Sequence, residues 1–153
     1  MKFYCNEQLS GFSELQFLLL SETSNWPTVL TDQTSAQIII TPEVYDVDAG
    51  IDDESINVDV REKAKDAFSI TIQFTFLVRS EALEQMLDQY KNKPGIAIGC
   101  LNNKFKKMYG SNLQPLYLSF EVDDKSKIDE KGLTAVRITG ETRKRPVYYT
   151  PVV

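Results

Sequence analysis

The sequence has no histidine, two cysteines and no apolar run longer than Phe17-Leu18-Leu19-Leu20. Each shortage excludes a class of function. Without histidine there is no Ser-His or Cys-His nucleophilic pair, no imidazole general base and no histidine-ligated zinc. Cys5 and Cys100 stand far apart with no CxxC spacing. They read as reduced, partly buried small hydrophobes rather than a disulfide framework, and the sequence alone does not tell whether they pair. No stretch approaches the roughly 18 apolar residues of a membrane span. The start, Met1-Lys2-Phe3-Tyr4-Cys5-Asn6-Glu7-Gln8, lacks the continuous apolar stretch of a secretory signal. The expectation is therefore a soluble protein of the cytoplasm without membrane contact. No P-loop pattern occurs, and no GxGxxG follows a strand.

What remains is an ordinary globular composition. A chain of 153 residues fits one domain spanning residues 1–153. At that size it buries roughly 70% of its unfolded surface and needs neither a metal nor a disulfide to hold its core. The net charge of −5 keeps the chain soluble and opposes non-specific contact with phosphate backbones. A specific nucleic-acid partner is not expected.

The clearest local pattern runs from Phe68 to Arg79. Phe68, Ile70, Ile72, Phe74, Phe76 and Val78 alternate with a mostly polar set, as a strand with one buried face requires. A strand of that length is expected to bend or to span two sheets. A helix is expected over 81–92. Ser80 is placed to cap it, Glu81 and Glu84 suit its positive end, and Ala82, Leu83, Met86, Leu87 and Tyr90 form one apolar stripe. Lys91 and Lys93 suit the negative end, and Pro94-Gly95 stops it. Shorter strands are expected at 37–41, 56–61, 96–100, 116–122, 133–139 and 147–150. The polar stretch 123–132 joins two of them as a hairpin with a long loop. Phe12 to Leu20 reads equally as a short helix or a buried strand, because a short apolar run carries no decisive period. The fold class is mostly β with one helix, a two-layer antiparallel sandwich or barrel-like domain with the helix packed across it.

Two charged regions are candidates for chemistry or contact. Residues 43–54 carry Asp46, Asp48, Asp52 and Asp53 among their acids. An EF-hand loop beginning at Asp46 matches at Asp48 and then fails. Gly50 stands where a third ligand belongs, Ile51 where the glycine belongs and Asn57 where a bidentate glutamate is required. The segment reads as a solvated loop, and no metal or other cofactor is expected. Basic residues gather at Lys104-Phe105-Lys106-Lys107-Met108-Tyr109, at Arg137 and at Arg143-Lys144-Arg145. Basic charge interleaved with aromatics suits single-stranded nucleic acid. It suits equally an edge strand defended against pairing, or a charged protein interface, and the acidic total favours these. Trp26, Tyr148 and Tyr149 read as interface or core aromatics. With 22 acidic residues some carboxylate pair satisfies any loose search, so no catalytic site is assigned.

The strand Phe68–Arg79, the capped helix Glu81–Asn92, the hairpin Leu116–Thr139 and the close Gly140–Tyr149 together resemble the tail-tube family of bacteriophage tails and related injection machines. The resemblance is one of architecture over roughly residues 56–150, with no diagnostic motif and no functional residue to carry across. It implies a non-catalytic structural protein that self-associates or joins other structural proteins, in the virion if phage-derived. Such subunits assemble through extended loops and arms, here 43–54 and 123–132. Asp46, Asp48, Asp52 and Asp53 would then meet Arg143, Lys144 and Arg145 between neighbours. The second expectation is a monomeric ligand-binding β-barrel or sandwich, whose long strand lines a cavity with Phe68, Phe74 and Phe76.

Overall fold

The computed structural model describes residues 2–4, 12–27, 39–40, 57–76, 81–101, 105–123 and 133–149. The strands are β1 (Lys2–Tyr4), β2 (Phe12–Leu19), β3 (Thr23–Ser24), β4 (Ile39–Ile40), β5 (Asn57–Ala64), β6 (Ala67–Phe76), β7 (Pro94–Leu101), β8 (Lys106–Tyr109), β9 (Leu116–Asp123), β10 (Leu133–Thr142) and β11 (Val147–Tyr149). A 3-10 turn occupies Leu20–Glu22, and one helix, α1, spans Glu81–Tyr90. Nine strands form one sheet in the order β1-β2-β7-β9-β10-β6-β5, with β8 and β11 branching from β7. Among the described residues every pairing between strands is antiparallel, and the sheet curls into a half-barrel. The domain is mostly β and barrel-like, as its alternating patterns lead one to expect.

The alternation of β6 becomes burial directly. Phe68, Ile70, Ile72, Phe74 and Phe76 all face the interior, and the residues between them are half-buried on the other face. Val78 lies outside the described residues. Across the ladder, Val136 opposes Phe74 and Ile138 opposes Ile72, so β10 adds to the same apolar face. β9 continues it with Leu116 and Leu118, and α1 closes over it with Leu83, Leu87 and Tyr90. Each such side chain contributes about 1.5–3 kcal/mol by leaving water.

α1 is two residues shorter than the expected 81–92. Asn92 adopts a left-handed backbone with φ 57°, which an α-helix cannot continue and asparagine tolerates. Its N–H donates to the Leu118 carbonyl at 3.0 Å, tying the helix end to β9. The expected cap, Ser80, lies outside the described residues. Near the same helix end, the Tyr90 hydroxyl donates to Glu22 Oε1 at 3.2 Å, and Glu22 Oε2 accepts from the Leu19 N–H at 3.0 Å.

The ambiguous run 12–20 is strand β2 up to Leu19. Its blurred period has a physical cause. Leu15 and Phe17 enter the main core, whereas Leu18 belongs to a second cluster with Ile96, Ile98, Met108 and Val147 on the opposite face. A strand buried on both faces carries no polar alternation. Trp26 packs against this second cluster, and its indole N–H donates to Thr23 Oγ1 at 3.0 Å. Pro94 and Gly95, expected to act only as a helix stop, already form the start of β7. The 123–132 connection closes a hairpin, with Leu133 opposite Asp123, and its residues 124–132 lie outside the described set.

β7 has three partners. β2 runs along one edge, while the other edge pairs with β9 at Pro94 and Gly95 and with β8 from Ala97 to Cys100. At this fork a side chain on residue 95 has no room, since a Cβ would lie 2.5 Å from the Leu18 carbonyl oxygen and 2.6 Å from Phe17 Cζ. Two measurements check this description. Phe74→Ala should lower unfolding free energy by about 3–5 kcal/mol in urea titration, the cost of an unfilled aromatic site. Gly95→Ala should lower it by about 1–3 kcal/mol, because backbone must move to admit one methyl.

Candidate functional site

β5 and β11 end the two branches of the sheet beyond β7. Between them lies an open groove of about 800 Å³. Val58 and Val60 of β5 and Phe68 of β6 line one side. Lys107 and Tyr109 of β8 and Tyr148 of β11 line the other. The period of two explains the selection. Lys107 and Tyr109 share a face of β8, whereas Met108 between them turns to the second cluster. Tyr148 stands directly opposite Lys107 in the β8–β11 ladder.

The groove combines apolar walls with two cations. Lys107 Nζ lies 5.3 Å from the centre of the Tyr148 ring, and the Arg145 guanidinium lies 5.7 Å from that of Phe68. Arg145 Nη2 also reaches Glu62 Oε2 at 4.0 Å, crossing from one end of the half-barrel to the other. Asp59, the acid on the β5 wall, is held by Arg61 Nε at 2.7 Å. Phe105 stands edge-on to Tyr148 at 6.1 Å. Val60, Phe105 and Tyr148 are three of the five large apolar side chains that are exposed among the described residues. Exposed apolar side chains gathered at one place mark a contact surface better than scattered ones.

Tyr109 is 4% exposed. Burial pushes its pKa up to about 12, with a smaller contribution from Tyr148. The phenol therefore stays a neutral donor at the groove wall throughout the physiological range.

Of the residues singled out in the sequence, Arg143, Lys144 and Arg145 sit on the exposed bend between β10 and β11. All three border a hollow beside Leu113 and Gln114, but their individual contacts differ. The Arg143 N–H donates to Gln114 Oε1 at 2.7 Å, and the Lys144 carbonyl accepts from Thr142 Oγ1 at 2.7 Å, so the bend is held by its own backbone. Only Arg145 lines the groove. A smaller hollow of about 470 Å³, beside Leu113 and Gln114, takes up the other side of the bend. Arg137 lies on the polar outer face of β10, and its guanidinium donates to Gln73 Oε1 at 3.4 Å, so it joins no basic stripe with 143–145. Asp46, Asp48, Asp52 and Asp53 lie outside the described residues, as does Cys5. Cys100 is half-buried on β7. Phe74 and Phe76 meet edge-to-face at 5.4 Å within the packed core, and of the three phenylalanines expected to line a cavity only Phe68 reaches the groove. The sequence signal for the groove was the alternation of Lys107 with Tyr109. The pairing that brings Tyr148 opposite is long-range and left no local trace.

Comparison with protein-family models, with curated proteins and with solved structures finds no match.

The raised Tyr109 pKa has a consequence for stability. A tyrosine ionises near pH 10 in an unfolded chain and, at this site, near 12 in the folded one. The folded state holds the proton more tightly, so this contribution is intact below about pH 10 and is lost as pH rises toward 12. Tyr109→Phe should flatten the fall of melting temperature between those two values in calorimetry. An unchanged slope would show that Tyr109 is not the group responsible.

Proposed function

We propose that the protein is a non-catalytic structural subunit, a tail component of a phage or prophage, that associates with copies of itself or with other structural proteins. The observation that carries this reading is the half-barrel that stops short of closure. Among the described residues β5 pairs only with β6, and β11 only with β8. Among the described residues each therefore has one row of N–H and C=O groups with no strand beside it, a template for another chain. Full closure would have removed both edges. A subunit that closes with its neighbours into a ring has a use for such edges that an isolated barrel does not.

The charge distribution supports the same reading. The acidic segment with Asp46, Asp48, Asp52 and Asp53 and the basic bend Arg143, Lys144 and Arg145 are opposite in sign and separate in sequence. Opposed patches on neighbouring copies set register and speed encounter. A second reading, a monomeric ligand-binding domain, has the groove in its favour, since 800 Å³ is the size of a small-molecule site.

Mass measurement in solution over a range of concentration and salt separates the two. Self-association should grow with concentration. Reversing Arg143, Lys144 and Arg145 to Glu should weaken it by about tenfold or more at low salt and less at high salt, with the circular dichroism of the monomer unchanged. A parent chain that stays monomeric up to high concentration, or a triple variant that associates like the parent at every salt, overturns the assembly reading.

A further inference from the structure

The groove between the two branches joins aromatic walls to two cations, and its charges and shape narrow what it takes. We infer that it binds a small planar aromatic carboxylate. This names the ligand for the second reading of the groove and stands whether or not the chain self-associates.

Register fixes which side chains meet such a ligand. Val58 and Val60 stand opposite Ile72 and Ile70 in the β5–β6 ladder, so they share the face that carries the main core. On the other wall Lys107 shares a face of β8 with Tyr109, a member of that same core, and Tyr148 stands opposite Lys107. With Phe68, three rings and two valines line one trough of about 800 Å³, within the range of small-molecule sites. Tyr148 is 49% exposed and Val60 37%, so the trough is open at its rim. An acyl chain leaves water fully only in an enclosed channel. A flat ring system needs walls beside it, and it gains further from offset or edge-on contact with other rings. The open trough with its three rings therefore favours a planar aromatic body.

Charge narrows the ligand further. The charged residues that line the groove are Asp59, Lys107 and Arg145. Asp59 stands opposite Thr71 on the outer side of β5 and is held by Arg61 at 2.7 Å. Glu62, opposite Phe68, shares the inner face and lies 4.0 Å from Arg145. So long a pair between exposed groups is weak, and Arg145 turns to another carboxylate at little cost. The two cations belong to different walls. Lys107 lies over Tyr148 at 5.3 Å and Arg145 over Phe68 at 5.7 Å, so an anion seated in the trough has a cation on each side. Hydrogen bonds from such cations to a carboxylate are about twice as strong as neutral ones. Two cations against Glu62 leave one negative charge to be supplied. A polyanion fits less well, because Asp59 and Glu62 on the β5 side repel its further charges.

The probe is 2-naphthoate, titrated calorimetrically into the full chain at one chain concentration. Mass in solution is recorded alongside, so that failure of the site and failure of self-association are read separately. Binding should saturate with a Kd below about 1 mM. The neutral amide, 2-naphthamide, should bind about tenfold more weakly or worse, and so should naphthoate to Lys107→Gln or to Arg145→Gln. The Arg145 side chain is 76% exposed, so its variant still reads the site if Lys107→Gln fails to fold. Val60→Glu, also at an exposed position, should weaken binding similarly by bringing a further carboxylate to the trough. Arg143→Gln with Lys144→Gln, which border only the hollow on the other side of the bend, should leave it unchanged. Decanoate, with a similar carbon count, should bind more weakly than naphthoate. Absence of saturation, equal binding of the amide, or binding lost in the Arg143 and Lys144 variant but kept in Lys107→Gln overturns the inference. Tighter binding of decanoate makes the trough an acyl site and overturns the planar aromatic ligand.

Discussion

The fold turns on a fork in β7. One edge of this strand is taken along its length by β2, but the other is divided, Pro94 and Gly95 to β9 and Ala97 to Cys100 to β8. A strand has only two edges, so the sheet beyond β7 must split into two branches. One leads through β9, β10 and β6 to β5, and the other through β8 to β11. Close approach at the fork is possible because glycine stands where three strands meet. Leu116, fully buried beside it, fills space that a Cβ at Gly140 would enter at 2.5 Å. Leu116 therefore plugs the angle between the branches, and the main core collects on the side where they curl together. The ends of the branches then face one another across the groove. The groove is a consequence of the fork rather than an independent feature.

That hierarchy explains what the sequence disclosed. β6 could be read because one of its faces meets the core and the other is polar, so its period survives in the residue order. The hairpin of β9 and β10 was legible for the same reason. β2 was not, since it lies beside the fork with Phe17 in one cluster and Leu18 in the other. β8 was hidden too. Lys106 and Lys107 give it the look of a solvated charge run, yet Met108 and Tyr109 are buried on opposite faces of the same four residues. Local propensity is a weak guide where two faces are both contested.

The candidate site was legible only in fragments. Arg143, Lys144 and Arg145 stand out as a charge run, but a run does not show that its members serve different ends. Two of them have backbone groups fastened to Gln114 and Thr142, and the third has its guanidinium laid over Phe68. Tyr109 and Tyr148 are far apart in the chain and are brought to one wall by the β8–β11 ladder. Such a wall depends on register, and register is a tertiary property.

The asymmetry of β5 bears most directly on why the half-barrel stays open. Edge strands are commonly blunted along their length. Here the charged contacts and the register break run from Asp59 to Ala64. Arg61 pairs with Asp59 at 2.7 Å, Lys63 reaches Glu141 at 3.0 Å across the outer face, and the register breaks between Glu62 and Ala64. The exposed ion pairs add little stability, so their position matters more than their energy. Val58 and Val60, with Asp59 between them, stay in regular register with β6 at the groove. Val60 thus stands exposed at the rim of the groove whose far wall carries the exposed Tyr148.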